Sequence, residues 1–568
     1  MNLRKDKKKN GRVYLSIGRG YRDADGKVKS ATVKSLGYVD ELMAEHPDPV
    51  AHFEAEVTRM NEAEAAEKKP EMIPFDRQKR LAPGTTARNV GYAAFSAIYH
   101  ELGIDMFLNN RQRGLKAGYN INSIMKLLVY SRILRPGSKK SAYEGRGWFF
   151  DKADFSLDDL YRSLDRICGF GEALQLWMHE RILANYGRDT TFVYYDVTNY
   201  YFEIDEEDEM RRRGVSKEHR PDPIVQMGLF MDNDGIPMSY RLFPGNNNDC
   251  TMLVPHMAAI RQKYDAGKMA VVADKGMNTA KNAYYIANGR GWYIFSQTVR
   301  GGSDELKEYV LKDAGYVWEG EDYKRKSRQF TRRAKIDMGD GNPPKPIKIS
   351  EKQVVFYSRD YDRRAKRDRE KAVQKAKDII EDPAGFSKHN TFGAAKYIDQ
   401  LEFDAETGEI VETGSVLRFN YDRLKEDEKY DGYYLVVTNC YDKPDEWVID
   451  KYRGLWQIEE TFKVTKSDLE ARPVFVSRKE HIEAHFLTCF VALTLVRLLQ
   501  KKLGGKHSST RLIDSLSKAC YAHIDTNRYM GCYNDAVIND VGEALGIDFG
   551  LQYRTLMDIR KLVGDTKK

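Results

Sequence analysis

Two short apolar runs constrain this chain most. Phe192-Val-Tyr-Tyr195 and Met269-Ala-Val-Val-Ala273 each end on an aspartate, Asp196 and Asp274. Runs of this length and composition read as buried strands. Between them lie two more, 224–231 and 236–243, separated by Asp232-Asn-Asp-Gly235, which reads as a hairpin turn. A helical pattern follows at 252–264, and a further strand at 292–296. Three strands, helix, strand, helix, strand predicts a mixed α/β sheet. Ligands and catalytic groups collect at the carboxyl ends of strands in such sheets, which makes Asp196 and Asp274 candidates.

The chain has 568 residues, enough for about three to five domains. With 41% hydrophobic and 31% charged residues it can bury a large core. The net charge of +7 is mild, but its distribution is not. Residues 1–35 hold 11 Lys/Arg against 3 Asp/Glu, and residues 322–375 hold 18 against 8. No apolar segment follows the charged start, so no signal peptide is expected. The longest apolar stretch, 486–496, is shorter than the ~20 residues a membrane helix needs and reads as a buried helix. The six cysteines form no CxxC pair, which argues against a zinc ribbon or a disulfide scaffold and fits a reducing cytoplasm.

Two motifs fail on spacing. Gly20 to Val28 has five residues between its glycines where a phosphate-binding loop needs four, and Val28 where that loop needs a hydroxyl. It reads as a hairpin with strands near 12–17 and 29–35. In His481-Ile-Glu-Ala-His485 the Glu stands one place late for a metalloprotease helix, so helix packing or a solvent-facing pair is the better reading.

The N-terminal half beyond an acidic stretch at 40–71 is mostly helical. Ile124, Leu127 and Leu128 follow helical spacing until Arg135-Pro136-Gly137, and Ser156-Leu-Asp-Asp159 is a capping box. The turn Arg135–Lys140 is a candidate phosphate-binding loop, or an ordinary one. After 300 the sheet pattern breaks for about 150 residues, with strands expected at 323–336 and 347–357 and a basic helix at 363–380; the basic residues of 322–375 interleave with aromatics, which suits DNA-phosphate contact and stacking, or a solvated charged face. The strand 433–438 restores the core pattern, and the final hundred residues read as helical.

A third acid joins the aspartates through helix geometry. Tyr452, Glu459 and Lys466 are spaced by seven and share one helix face, with Lys463 between them. Leu455, Ile458, Phe462, Thr465 and Leu469 form the adjoining stripe, so the helix can lie on the sheet with Glu459 at its margin. Singly, each acid has an ordinary reading as a turn, cap or solvated residue. Three convergent carboxylates in a dry cleft require a cation, and hard oxygen donors suit Mg²⁺ or Mn²⁺. Two such ions, about 3.5–4 Å apart, would clamp the attacking and leaving oxygens of a phosphodiester displacement.

Tyr452-Arg-Gly-Leu-Trp-Gln-Ile-Glu459-Glu-Thr-Phe-Lys-Val-Thr-Lys466 resembles the Tyr-Arg-Glu-Lys signature of insertion-sequence DDE transposases. Tyr195-Asp196-Val-Thr198 and Ala273-Asp274-Lys-Gly276 look like that family's aspartate motifs, and Gly245-Asn-Asn-Asn-Asp249 its Gly-Asn-x-x-Asp turn. The resemblance covers about residues 190–500. It implies an α/β fold whose RNase H-like catalytic core, a mixed five-stranded sheet with helices, is interrupted by a mainly β insertion domain, with helical N-terminal and C-terminal regions. The expected division is 1–75, a basic β-hairpin and linker helix; 76–190, a helical DNA-binding region; 191–299, the first part of the core; 300–430, the insertion; 431–503, the second part of the core with the Glu helix; and 504–568, a helical C-terminal region.

The resemblance also implies that Asp196, Asp274 and Glu459 are the catalytic metal ligands for two Mg²⁺ or Mn²⁺ ions, with Asp196 as the bridge, and that Tyr452 and Lys466 bind DNA phosphates. Lys463, and Lys217, His219 and Arg220 in a basic loop before the second strand, are further DNA-binding candidates. The signature arginine falls where this chain has Leu455. Arg453 is the near candidate, about 100° or 200° away around the helix. The implied protein is a cytoplasmic DNA transposase that binds inverted-repeat ends and target DNA as a homodimer, with no nucleotide cofactor and no membrane. A metal-dependent nuclease without strand transfer, and a catalytically silent DNA-binding relative, are the rival readings.

Overall fold

A computed structural model describes every residue except 9, 23–27, 67–86, 218–219, 265–268, 339–340, 384–385, 387–390, 392, 403–409, 411–416, 526 and 568. The chain forms two compact units, Met1–Gly84 and Thr85–Lys568.

The first unit is a three-stranded antiparallel sheet, β1 (Asn2–Lys7), β2 (Val13–Arg22) and β3 (Val28–Tyr38), in that order. The expected hairpin is therefore present with one further strand, and its Asp-Gly turn lies outside the described residues. A helix, Pro49–Ala66, is joined to the sheet by ion pairs from Glu54 to Lys5 and from Glu56 to Lys34. Leu15, Ile17, Phe53 and Val57 are among its buried side chains.

The second unit opens with β4 (Ala87–Asn89) and a group of helices. The Ile121–Leu134 helix stops at Arg135, ahead of Pro136. The Leu157–Gly169 helix begins with the expected capping box, Ser156 and Asp159 each accepting from the other's backbone N–H. A nine-stranded sheet follows. Its strands are β5 (Phe192–Tyr201), β6 (Ile224–Met231), β7 (Pro237–Pro244), β8 (Ala270–Ala273), β9 (Trp292–Gln297), β10 (Val317–Glu319), β11 (Tyr323–Ile336), β12 (Lys345–Ser358) and, after the short pair β13 (Ile398–Asp399) and β14 (Arg418–Phe419), β15 (Tyr433–Thr438). The order is β10-β11-β12-β15-β9-β8-β5-β6-β7. β5 is parallel to β8 and β8 to β9; the other neighbours are antiparallel.

Alternate residues of the central strands face opposite cores, as the pleat requires. Tyr194, Tyr200, Val272 and Ile294 pack with helices that include Ile121–Leu134, Trp456–Lys463 and Lys479–Lys502. Val193, Tyr195, Val271 and Phe295 pack with Leu253–Lys263 and Ala280–Asn288 on the other side. Both faces are covered, which is why these strands read as nearly continuous apolar runs. The Lys479–Lys502 helix is long and apolar enough to cross a membrane, but 89% of its most apolar window is buried in the protein.

Three expectations change. β5 does not end at Tyr195: it runs on to Tyr201, so Asp196 lies within the strand. The residues that follow, Val-Thr-Asn-Tyr-Tyr, are themselves strand formers and pair with β6. The sheet does not stop at residue 300. β11 and β12 extend it, because Val354, Val355 and Phe356 are apolar enough to pair beside β15. The C-terminal residues are not wholly helical: β16 (Cys520–Asp525), β17 (Arg528–Gly531) and β18 (Tyr553–Thr555) pair with β4 in a four-stranded sheet.

Candidate active site

The register of two parallel strands places the first two carboxylates. Tyr195 of β5 pairs with Ala273 of β8, so Asp196 and Asp274 occupy the next level of neighbouring strands, which are about 4.8 Å apart. β8 ends there because Asp274 caps a turn, its Oδ1 accepting from Gly276 N–H at 2.9 Å. Asp196 Oδ1 accepts from Val197 N–H at 2.7 Å.

The Asp196 side chain is only 16% exposed. Burial pushes its carboxyl up to about 7, and the charges of Asp274 and Glu459 add to that rise, while Lys217 opposes it. The Lys217 Nζ stands 3.9 Å from Asp196 Oδ1 and donates to Val197 O. A fourth acid shares this field. Burial raises the Asp249 carboxyl, Lys217 lowers it, and Asp274 raises it further. Asn282, 2% exposed, ties the two turns together by donating to Cys250 O and Met277 O, both at 2.9 Å.

The signature segment is helical but not one regular helix. Asp445–Arg453 gives way at Gly454 and Leu455 to a tighter step, with Leu455 N–H bonded to Tyr452 O and Ile458 N–H to Leu455 O. Trp456–Lys463 then widens into a π-helical turn, Val464–Asp468. The spacing of seven therefore crosses one overwound and one underwound segment. Gly454 has no room for a side chain, since a Cβ there would stand 2.1 Å from the Tyr194 hydroxyl. The Trp456–Lys463 helix lies against β5 with Ile458 and Phe462 buried and Glu459 exposed. Glu459 is near enough to act on both Asp196 and Tyr452. Burial lifts the Tyr452 phenol to about 12, with the Ser296 hydroxyl hydrogen-bonded to it. Among the described residues, no three His, Cys, Asp or Glu side chains already stand close enough to hold one metal ion. The acids share a field without closing onto a point.

The other named residues are distributed as follows. Lys466 is half-buried, 5.6 Å from the Tyr200 ring, and Lys463 is exposed. Arg453 lies over the rings of Tyr323 and Phe356, at 5.4 and 5.8 Å, and 3.7 Å from Asp450. Leu455, in the place of the signature arginine, is buried. Lys217 faces the carboxylates. Arg220 stacks on Tyr201 at 4.2 Å, near Glu203 and Asp222. His219 lies outside the described residues.

Several sequence readings lose their chemistry. Lys139 of the 135–140 turn is buried, with Nζ 2.6 Å from His485 Nδ1, so it is no phosphate contact. His485 also bonds Ala471 O, and His481 sits 3.3 Å from Asp165, which bears out packing roles for both. Lys324 and Lys326 of the basic segment are buried against Tyr316, and Arg332 is paired with Glu351 at 3.0 Å and Asn278 at 2.6 Å. Asp249 and Lys217 were missed as members of the acidic cluster. The Gly-Asn-Asn-Asn-Asp turn was the signal for Asp249; for Lys217 as a counter-charge there was none.

Residues 207–495 match the family profile of the transposase DDE domain, a span that begins just beyond Asp196 and includes Asp274 and Glu459. Residues 3–71 match the N-terminal domain of IS1634 family transposases. No curated protein sequence matches the chain. Among solved structures, a piggyBac transposase synaptic complex with hairpin DNA aligns at 7% identity over 89% of this chain and 80% of that one, with a TM-score of 0.31, too low to bear on the fold. The profile match spans more than half of the sequence, and the chain belongs to the DDE transposases, as a DNA transposase of the insertion-sequence type.

Proposed function

We propose that Asp196, Asp274 and Glu459 are the metal-holding carboxylates of this transposase, and that two Mg²⁺ or Mn²⁺ ions are its cofactor. The observation that carries this is the strand register that sets Asp196 beside Asp274, with the Glu459 helix packed on β5, so that the acids act on one another and the Asp196 carboxyl is pushed up to about 7. Such a cluster has more negative charge than its surroundings neutralise, and its donors are all hard oxygens. Glu459 is exposed, so its side chain can turn inward without unpacking. Divalent ions held there would supply the positive charge that stabilises the attacking and leaving oxygens of phosphodiester exchange.

The protein's own residues do the rest. Asn282 keeps the Asp249 and Asp274 turns in register, and Tyr452, in the field of Asp274 and Glu459, and Lys466, beside Tyr200, would meet a DNA backbone. A water oxygen attacks the phosphorus at the element end and a 3′-hydroxyl leaves. That hydroxyl then attacks a target phosphorus and displaces another 3′ oxygen, so one bond forms for each broken and no nucleotide is consumed. The β7-β6-β5-β8-β9 portion of the sheet, three antiparallel strands followed by two parallel ones, supports an RNase H-like core. On this reading β10–β14 and the Arg359–Glu381 helix are the insertion. A homodimer holding two inverted-repeat ends in the cytoplasm completes the proposal.

The test uses full-length protein, an end duplex and a target plasmid with Mg²⁺. Asp196→Asn, Asp274→Asn and Glu459→Gln should each bind the end within about two-fold of wild type and lose nicking and joining by about 10³-fold or more. Retention of cleavage by any one of the three removes that residue from the site. Nicking without joining in the wild type would favour the nuclease reading.

A further inference from the structure

The turn that carries Asp274 is held by two asparagines. Asn282 holds it at Met277 O. The other is Asn278, four residues beyond Asp274, in a turn closed by Met277 N–H to Asp274 O and Asn278 N–H to Lys275 O, both at 3.2 Å. Both ends of the Asn278 amide are used. Its Nδ2 donates to Ser296 O of β9 at 2.9 Å, and its Oδ1 accepts from Arg332 Nη2 at 2.6 Å. The hydroxyl of the same Ser296 is the one hydrogen-bonded to Tyr452.

Arg332 reaches this turn from a distant strand. In the sheet, β12, β15 and β9 separate β11 from β8. However, β12 pairs with β15 only over 352–357, so residues 345–351 and their β11 partners overhang as a two-stranded ribbon. The ribbon packs on the side of the sheet that holds the Ala280–Asn288 helix. Ile347 and Ile349 join the core there, and that helix lies against both β11 and β12. Arg332 is directly opposite Ile349, and Glu351 is two places further along, so all three share a face. The Glu351 side chain is fully buried. Its Oε1 accepts from the Tyr293 hydroxyl at 2.8 Å and its Oε2 from Arg332 Nε at 3.0 Å.

The geometry points to Arg332 as a positioning residue for Asp274: through Asn278 it sets the turn, and with it the direction in which the second aspartate presents its oxygens to a divalent ion. This rests on the reading of Asp274 as a metal ligand. A buried ion pair generally stabilises a fold no more than apolar side chains of the same size. What this pair adds is orientation. Glu351 fixes the Nε of a planar, rigid guanidinium, and the fork then aims Nη2 at Asn278. A lysine ammonium is a point charge and cannot serve both partners in that geometry. The β11–β12 ribbon thereby takes a part in the chemistry that is separate from any contact with DNA.

The experiment titrates Mn²⁺ into full-length protein and follows the free ion by electron paramagnetic resonance, with end nicking assayed in parallel. The binding that Asp274→Asn removes defines the share of this site. Arg332→Lys keeps a charge beside Glu351, and Asn278→Ala leaves the Arg332–Glu351 pair intact. Each should weaken that share by about five-fold or more, as loss of contacts behind a metal ligand does. Each should also melt in EDTA within about 2 °C of wild type, since one hydrogen bond is small against a chain of this size. The double variant should bind within about two-fold of the weaker single, because both changes break one contact. Excess Mn²⁺ should restore nicking to both single variants and not to Asp274→Asn. Arg333→Ala, one residue along and on the opposite, exposed face of the ribbon, should bind Mn²⁺ as wild type does. If Arg332→Lys and Asn278→Ala bind Mn²⁺ as wild type does, if their effects multiply, or if Arg333→Ala weakens binding as much, Arg332 does not position Asp274. If Asp274→Asn itself binds Mn²⁺ as wild type does, the carboxylate reading fails and this inference falls with it.

Discussion

Asp196→Asn should make this protein more stable while abolishing its chemistry. In the folded chain the Asp196 carboxyl titrates at about 7 against a usual 3.8, because burial and the neighbouring acids oppose its charge. An acid whose pKa is raised on folding costs stability wherever the unfolded chain has released the proton and the folded chain must too. The cost is absent below pH 3.8, grows between 3.8 and about 7, and is constant above. Three units at 1.36 kcal/mol each amount to about 4 kcal/mol. The amide keeps the shape and can still accept from Val197 N–H, and the attraction to Lys217 that it forfeits is already counted in the value of about 7. The net gain at pH 8 is therefore about 4 kcal/mol. In a chain of this size that raises the melting temperature by about 3–4 °C. The assay is thermal melting of both proteins in EDTA from pH 4 to 8. The gain should vanish toward pH 4, and added Mg²⁺ at pH 8 should stabilise wild type but not the variant. A variant that melts below wild type at pH 8, or by a margin independent of pH, refutes the argument that the acids are held together against their own repulsion.

Three further outcomes follow from single contacts. Asn282→Leu orphans Cys250 O and Met277 O and should cost about 2–4 kcal/mol in urea melts, with end nicking reduced and end binding kept. Arg453→Ala should leave cleavage within about ten-fold of wild type and cost only ~0.5–1 kcal/mol of stability, because its guanidinium lies over Tyr323 and Phe356 rather than among the acids. Arg188→Met breaks a fully buried pair, Arg188 Nε to Asp232 Oδ2 at 2.9 Å, and leaves the carboxylate of the β6–β7 turn uncompensated; a loss of about 3–5 kcal/mol in urea melts is expected, partly recovered by adding Asp232→Leu.

Much of the candidate site was visible in one dimension because its parts are local. A strand covered on both faces announces itself as an apolar run, and an acid directly after it marks the level where a parallel neighbour ends. That reading located Asp196 and Asp274 before any register was known. The Tyr452 to Lys466 spacing did the same for Glu459, although the overwound step at Gly454 and Leu455 and the π turn after Lys463 replace the regular helix it assumed. Both departures arise from contacts the pattern does not contain: Tyr194 under Gly454, and β5 beneath Ile458 and Phe462.

What the sequence alone determined is most of the elements and the positions of Asp196 and Asp274 beside buried apolar runs, since periodicity, caps and turn residues act over a few positions. Only the tertiary structure decided which edges pair, so β11 and β12 extend the central sheet and β4 joins strands more than 400 residues away. Only it brought Asp249 into the field of Asp274, set Lys217 against Asp196, and buried Lys139, Lys324 and Lys326 where their charges had suggested solvent or DNA. The reason is that pairing of edges and coupling of charges depend on distance through space, and residues far apart along a chain carry no record of that distance in their spacing.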